Sequence, residues 1–178
     1  MIHRAQRRPL HVLFLCTGNS ARSIIAECLL RQLGGEAFAA FSAGSSPKGE
    51  VHPLTLRLLA EQGLSTADLR PKSWSAFGTP DSPLMDFVFT VCDHVAGERC
   101  PTWPGQPVTA DWGIPDPAAV DGSDPERMLA FRAAFRTLEQ RLKLFVSLPI
   151  DSLDRVALTT RVTAIGRLRN DTAQERAS

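Results

Sequence analysis

The chain has 178 residues, 43% of them hydrophobic, enough for one substantial core and short for two ordinary domains. Lysine and arginine total 20 against 19 acidic residues, so no net field recruits nucleic acid or an acidic membrane, and any preference for anions has to come from local geometry. Apolar runs break at charge or proline short of the roughly 20 residues that cross a bilayer, and the stretch after the arginine-bearing N-terminus is too brief for a signal peptide, so a cytoplasmic location is expected. The four cysteines, Cys16, Cys28, Cys92 and Cys100, are then expected as reduced thiols with chemical or packing roles.

In chain order, "LHVLFL" at 10–15 reads as a strand buried on both faces. Thr17 to Ser20 supply a turn and a helix cap, and Ile25, Cys28, Leu29 and Leu33 recur at helical spacing until Gly34 and Gly35. A second strand is expected over 36–44 and a second helix over 52–63, with Pro53 in its first turn and Gly63 as its stop. Residues 64–85 are polar and proline-punctuated, with a short helix around 72–77. "MDFVFTVC" predicts a third strand over 85–92 with Cys92 at its end, and "QPVTADW" a fourth over 106–112. Asp124 is placed to cap a long helix whose stripe is Met128, Phe131, Phe135, Leu138, Leu142 and Phe145. A further amphipathic helix is expected within 149–168, and a disordered tail from Arg169.

The chemistry concentrates in "HVLFLCTGNSARSI", where Arg22 follows Cys16 by six residues. A strand running through a Gly- and Ser-containing turn into a helix directs several backbone N–H groups, backed by the positive helix end, at one point that binds an oxyanion. Thr17, Gly18, Asn19, Ser20, Ala21, Arg22 and Ser23 are the expected oxyanion-binding residues. A cysteine at that point is expected to have its pKa drawn below the usual value of about 8.5, and an arginine can clamp two oxygens of a tetrahedral anion. Cys28 lies on an apolar helical stripe and is read as packing. Cys92 and Cys100 are open to two readings, a buried strand-end thiol with an idle loop cysteine, or a redox pair. A zinc site built from Cys92, Cys100 and His94 is rejected because the spacing is wrong and a fourth ligand is missing, so no metal is expected.

"VLFLCTGNSARS" resembles the active-site loop of the low-molecular-weight protein tyrosine phosphatases and of the arsenate reductases that share their fold. "FSAGS" at 41–45, "KSW" at 72–74, "FVFTVCD" at 87–93 and "DWGIPDPA" at 111–118 follow in that superfamily's order. The resemblance implies an α/β fold of flavodoxin-like type, a four-stranded parallel sheet flanked by helices on both faces. It implies a catalytic domain over 1–148, leaving 149–178 as a C-terminal helix and tail. It also implies that Asp116, before Pro117, is the general acid, and Asp111 is read as structural. No tyrosine is present, Ala118 follows the Asp-Pro pair, and Ala21 and Ile24 replace the Cys and Pro common in the phosphatase loop, all departures from the phosphatase pattern. The thioredoxin-coupled arsenate reductases carry a strand-end Cys and a later "CPxxP", matched here by Cys92 and by Cys100-Pro101-Thr102-Trp103-Pro104, with one extra residue between the two cysteines.

On that likeness the expected activity is reduction of arsenate to arsenite. Cys16 is the nucleophile, Cys92 and Cys100 form a disulfide relay, and no cofactor is bound. An external thiol (thioredoxin, glutaredoxin or a low-molecular-weight thiol) supplies the electrons. The alternatives are a phosphatase working through a Cys16 phosphocysteine, and a non-catalytic anion-binding or redox-sensing module.

Overall fold

The structure is a computed structural model that describes residues 8–92 and 103–168. Its centre is a four-stranded parallel sheet of order β2-β1-β3-β4, made of β1 (Leu10–Cys16), β2 (Phe38–Gly44), β3 (Phe87–Thr90) and β4 (Val108–Asp111). Helices α1 (Arg22–Gly34), α2 (Pro53–Glu61), α3 (Asp124–Val146) and α4 (Arg155–Gly166) are the α-helices among the described residues. None is long and apolar enough to cross a membrane.

β1 is central, paired along its length with β2 from Leu10 opposite Phe38 to Cys16 opposite Gly44, and with β3 on its other side. This is why its apolar run does not alternate: Val12 to Leu15 are fully buried, facing two layers in turn. Val12, Phe14, Phe87 and Phe89 meet buried side chains from all four helices. Leu13, Leu15 and Val88 pack in a second cluster with Phe77, Met85 and Trp103. The expected stripe of α3 is buried at all six positions.

Several boundaries differ from the sequence expectation, each for a local reason. β2 starts at Phe38 because Gly35–Ala37 coil into a 3-10 turn. The short helix near 72–77 is a 3-10 turn over Trp74–Phe77, capped by Ser73. β3 is four residues rather than eight, since its ladder to β1 covers only Val12 to Leu15; Cys92 therefore lies just past the strand end. Ser123, not Asp124, caps α3, with its hydroxyl accepting from Glu126 N while Asp124 sits in the first turn. The last helix starts at Arg155 under an Asp154 cap. The tail from Arg169 lies outside the described residues.

α4 reaches the sheet through a close approach of Gly166 to Asp111 O and the Trp112 ring, where a Cβ would collide. The Trp112 indole stacks on Phe89 at 4.1 Å and 6°, and its Nε1–H donates to Val162 O at 2.8 Å. Buried Arg141 of α3 donates to Trp112 O at 2.7 Å. Together these contacts fasten the start of the segment that runs on to Asp116.

Candidate active site

Residues 17–21 turn from the C-terminal end of β1 into α1, at the sheet edge where open α/β folds bind ligands. Asn19 takes φ 46°, a left-handed conformation that Asn tolerates better than most residues. Its amide is oriented on both sides: Oδ1 accepts from Lys72 N at 2.8 Å and Nδ2 donates to Ser23 Oγ at 2.8 Å. The Ser23 hydroxyl, already accepting from Asn19, can donate to Cys16 Sγ 2.8 Å away, and Asn19 N donates to the same sulfur at 3.2 Å. The sequence places Asn19 and Ser23 among the oxyanion ligands; the structure adds that Asn19 N donates to the sulfur and that the Ser23 hydroxyl is its hydrogen-bonding partner.

The loop carbonyls point away from this site. Ser45 N donates to Cys16 O, Ser46 N to Thr17 O, Lys48 N to Gly18 O and His52 N to Ser20 O. Thr55 Oγ1 also donates to Ser20 O. Ser20 is thus held through its carbonyl and does not cap α1. The capping position falls to Ala21, whose side chain supplies no acceptor for the N–H groups of the first turn. Gly44 makes the loop's close approach possible, for a Cβ there would stand 2.5 Å from Thr17 O.

A cleft of about 620 Å³ opens over residues 16–22 and is walled by Ser46, Pro47, Lys48, Asp116 and Ala118. Arg22, 7% exposed, donates from Nη1 to Ile114 O at 3.0 Å, and its Nη2 lies 3.6 Å from Asp116 Oδ2. Asp116 Oδ1 accepts from Ala118 N at 2.9 Å, which fixes the carboxylate at the cleft wall. Asp111 faces elsewhere, accepting from Thr90 Oγ1 and Gly113 N.

One electrostatic expectation is corrected. Burial pushes the Cys16 thiol up from its ordinary pKa, the hydrogen bonds from Ser23 and Asn19 pull it down, and the charge of Cys92 pushes it up again. Arg22 is engaged with Ile114 O and Asp116, so its charge is not spent on the sulfur. Cys92, fully buried, stands under the loop with Sγ 3.6 Å from Thr17 Oγ1. Cys28 is buried on α1 and pushed up to about 11, chiefly by burial, as suits an inert packing thiol. Cys100 and His94 lie outside the described residues.

Gly44, which the sequence marks only as part of "FSAGS", belongs to the site's surroundings, as do Lys48 and His52, which no sequence signal marks. His52 caps α2 through Nδ1, which accepts from Leu54 N, and holds Ser20 through its backbone N–H.

Residues 11–157 match the family model described as low molecular weight phosphotyrosine protein phosphatase. The chain is 33% identical over 137 residues to an arsenate reductase of Halalkalibacterium halodurans, covering 75% of this chain and 93% of that one. It resembles the solved arsenate reductase of Archaeoglobus fulgidus with a TM-score of 0.61 and 31% identity over 77% of this chain and 99% of the other. It also resembles a thioredoxin-dependent arsenate reductase of Corynebacterium glutamicum, with a TM-score of 0.54 and 29% identity, over 79% of this chain and 65% of that one.

Proposed function

The chain belongs to the low molecular weight phosphotyrosine protein phosphatase family, and from that premise we propose that it reduces arsenate to arsenite through Cys16, Cys92 and Cys100, with an external thiol as electron source. The observation that carries this reading is the position of Cys92. It is a second, fully buried thiol whose Sγ lies 3.6 Å from Thr17 Oγ1, the hydroxyl of the residue next to Cys16. Phosphate ester hydrolysis has no use for it.

The loop amides and Arg22 hold the tetrahedral anion while the Cys16 sulfur attacks arsenic. A sulfur–arsenic bond forms and one oxygen leaves as water, protonated by Asp116. The Cys92 thiolate then attacks the Cys16 sulfur. The new disulfide takes two electrons from the thiols, the sulfur–arsenic pair stays on arsenic, and arsenite departs. Cys100 attacks Cys92, freeing Cys16 and leaving Cys92–Cys100 for a dithiol partner of thioredoxin type.

The cleft wall speaks against an aryl ester as the preferred substrate. Among the described residues its lining has no aromatic side chain, and the chain has no tyrosine.

Two variants test the relay. Cys100→Ser should release about one arsenite per chain and stop, with Cys16–Cys92 accumulating as a disulfide visible by mass spectrometry of unreduced peptides. Cys92→Ser should release little. Repeated thioredoxin-driven turnover by Cys100→Ser would refute the three-thiol sequence. Undiminished phenyl phosphate hydrolysis by both variants, with no trapped disulfide, would establish the phosphatase instead.

A further inference from the structure

The segment after β2 does more than accept the loop. Three backbone bonds, from Ser45 N, Ser46 N and Lys48 N to successive loop carbonyls, fix where the Lys48 side chain starts. Its stem then runs across Gly18: a Cβ on Gly18 would stand 3.3 Å from Lys48 Cε and 3.4 Å from Lys48 Cγ. The absent side chain at Gly18 is the slot in which the stem lies, and it brings the ammonium group to the cleft wall.

The charges around the cleft give that ammonium group a role. Arg22 is the deep cation, but Asp116 lies 3.6 Å from its guanidinium, so the pair contributes little net field. No Asp or Glu of the described residues lies within ion-pair distance of Lys48. Among the described residues nothing offsets its charge, which can act on an incoming anion.

Resting on the reading of the chain as an arsenate reductase, we propose that Lys48 is the second cation of the oxyanion site, pairing with an outer oxygen of the bound anion while the loop amides and Arg22 hold the inner ones. A charged stem at the cleft wall offers an aryl group no ring to stack on, so it favours a free inorganic oxyanion over an aryl ester. The site is two-sided: Arg22 belongs to the first turn of α1, and Lys48 comes from the far side over Gly18.

Protection of Cys16 from iodoacetamide by inorganic phosphate, read at the Cys16 peptide by mass spectrometry, tests this without any turnover. Lys48→Met removes an exposed charge and keeps the stem, so folding should be unaffected. The variant should need about tenfold more phosphate for half protection, an advantage of the parent that shrinks with added salt. Lys48→Arg should stay within about twofold of the parent. Phenyl phosphate protection should weaken less than phosphate protection, and KM for arsenate should rise in Lys48→Met with kcat nearly unchanged.

An unchanged half-protecting phosphate concentration in Lys48→Met would overturn the proposal. So would a shifted pH midpoint of alkylation without phosphate, because Lys48 would then act on the sulfur rather than on the anion. Equal weakening for phosphate and phenyl phosphate would overturn the selectivity. If the parent fails to reduce arsenate, the proposed function falls while the phosphate comparison still decides the role of Lys48.

Discussion

Replacing Gly44 by Ala should damage the oxyanion loop from below. The added Cβ would stand 2.5 Å from Thr17 O and 3.1 Å from both Asn19 N and Asn19 Cβ. An ordinary contact begins near 3.4 Å, so the Thr17 carbonyl has to retreat by close to an ångström. Gly44 cannot yield instead, being paired with Cys16 and bonded through its N–H to Lys72 O at 2.8 Å. Overpacking of this kind costs about 1–3 kcal/mol, which in a domain of this size lowers Tm by about 2–12 °C. The retreat also stretches the 3.2 Å bond from Asn19 N to Cys16 Sγ, removing one of the groups that hold the thiol's pKa down. Thermal unfolding and the pH dependence of Cys16 alkylation measure the two effects. Gly18→Ala is the control, because its Cβ meets only the flexible Lys48 stem at 3.3 Å, and its Tm should stay near the parental value. A Gly44→Ala protein with parental Tm and parental alkylation would refute the argument that this approach needs glycine.

Ser23→Ala removes the 2.8 Å hydrogen-bonding partner of the sulfur and so a group that lowers the Cys16 pKa. Thiolate should then form at higher pH, and the acidic limb of the alkylation profile should move up; a downward or absent shift would show that Ser23 does not donate to the sulfur. Asp116→Asn keeps the shape of the wall and loses the transferable proton. Arsenite formation should slow by about 10²–10⁴-fold with phosphate protection of Cys16 unweakened, and a fall of less than threefold in single-turnover rate would move the proton's source elsewhere.

The parts of the site carried by short-range pattern were legible in the sequence. A continuous apolar run followed by Gly, Asn and Ser and then by helical spacing predicts strand, loop and helix, and the structure has β1, the 17–21 loop and α1 there. The stripe of α3 was legible for the same reason. What escaped depends on partners distant in sequence. Nothing in "FSAGS" says that Gly44 must clear Thr17, or that Lys48 will lie over Gly18, because both facts arise when β2 docks on β1. The length of β3 escaped as well, since "MDFVFTVC" is apolar well beyond the stretch that β1 can pair. The direction of the Cys16 pKa was misjudged because the sequence shows neither how deeply the sulfur is buried nor that Ile114 O and Asp116 engage the Arg22 guanidinium.

The bare start of α1 ties the protein's endurance to its ligand. A Ser, Thr, Asp or Asn at position 21 would typically stabilise such a helix by about 0.5–2 kcal/mol, and this chain has Ala21, which offers no capping acceptor. An oxyanion in the loop supplies that acceptor itself, and since it binds the folded chain alone, each tenfold excess over its dissociation constant adds about 1.4 kcal/mol to folding. Inorganic phosphate, the abundant mimic of the rare toxic substrate, then acts as a chemical chaperone. The chain's resistance to heat and to proteolysis should therefore rise with phosphate concentration.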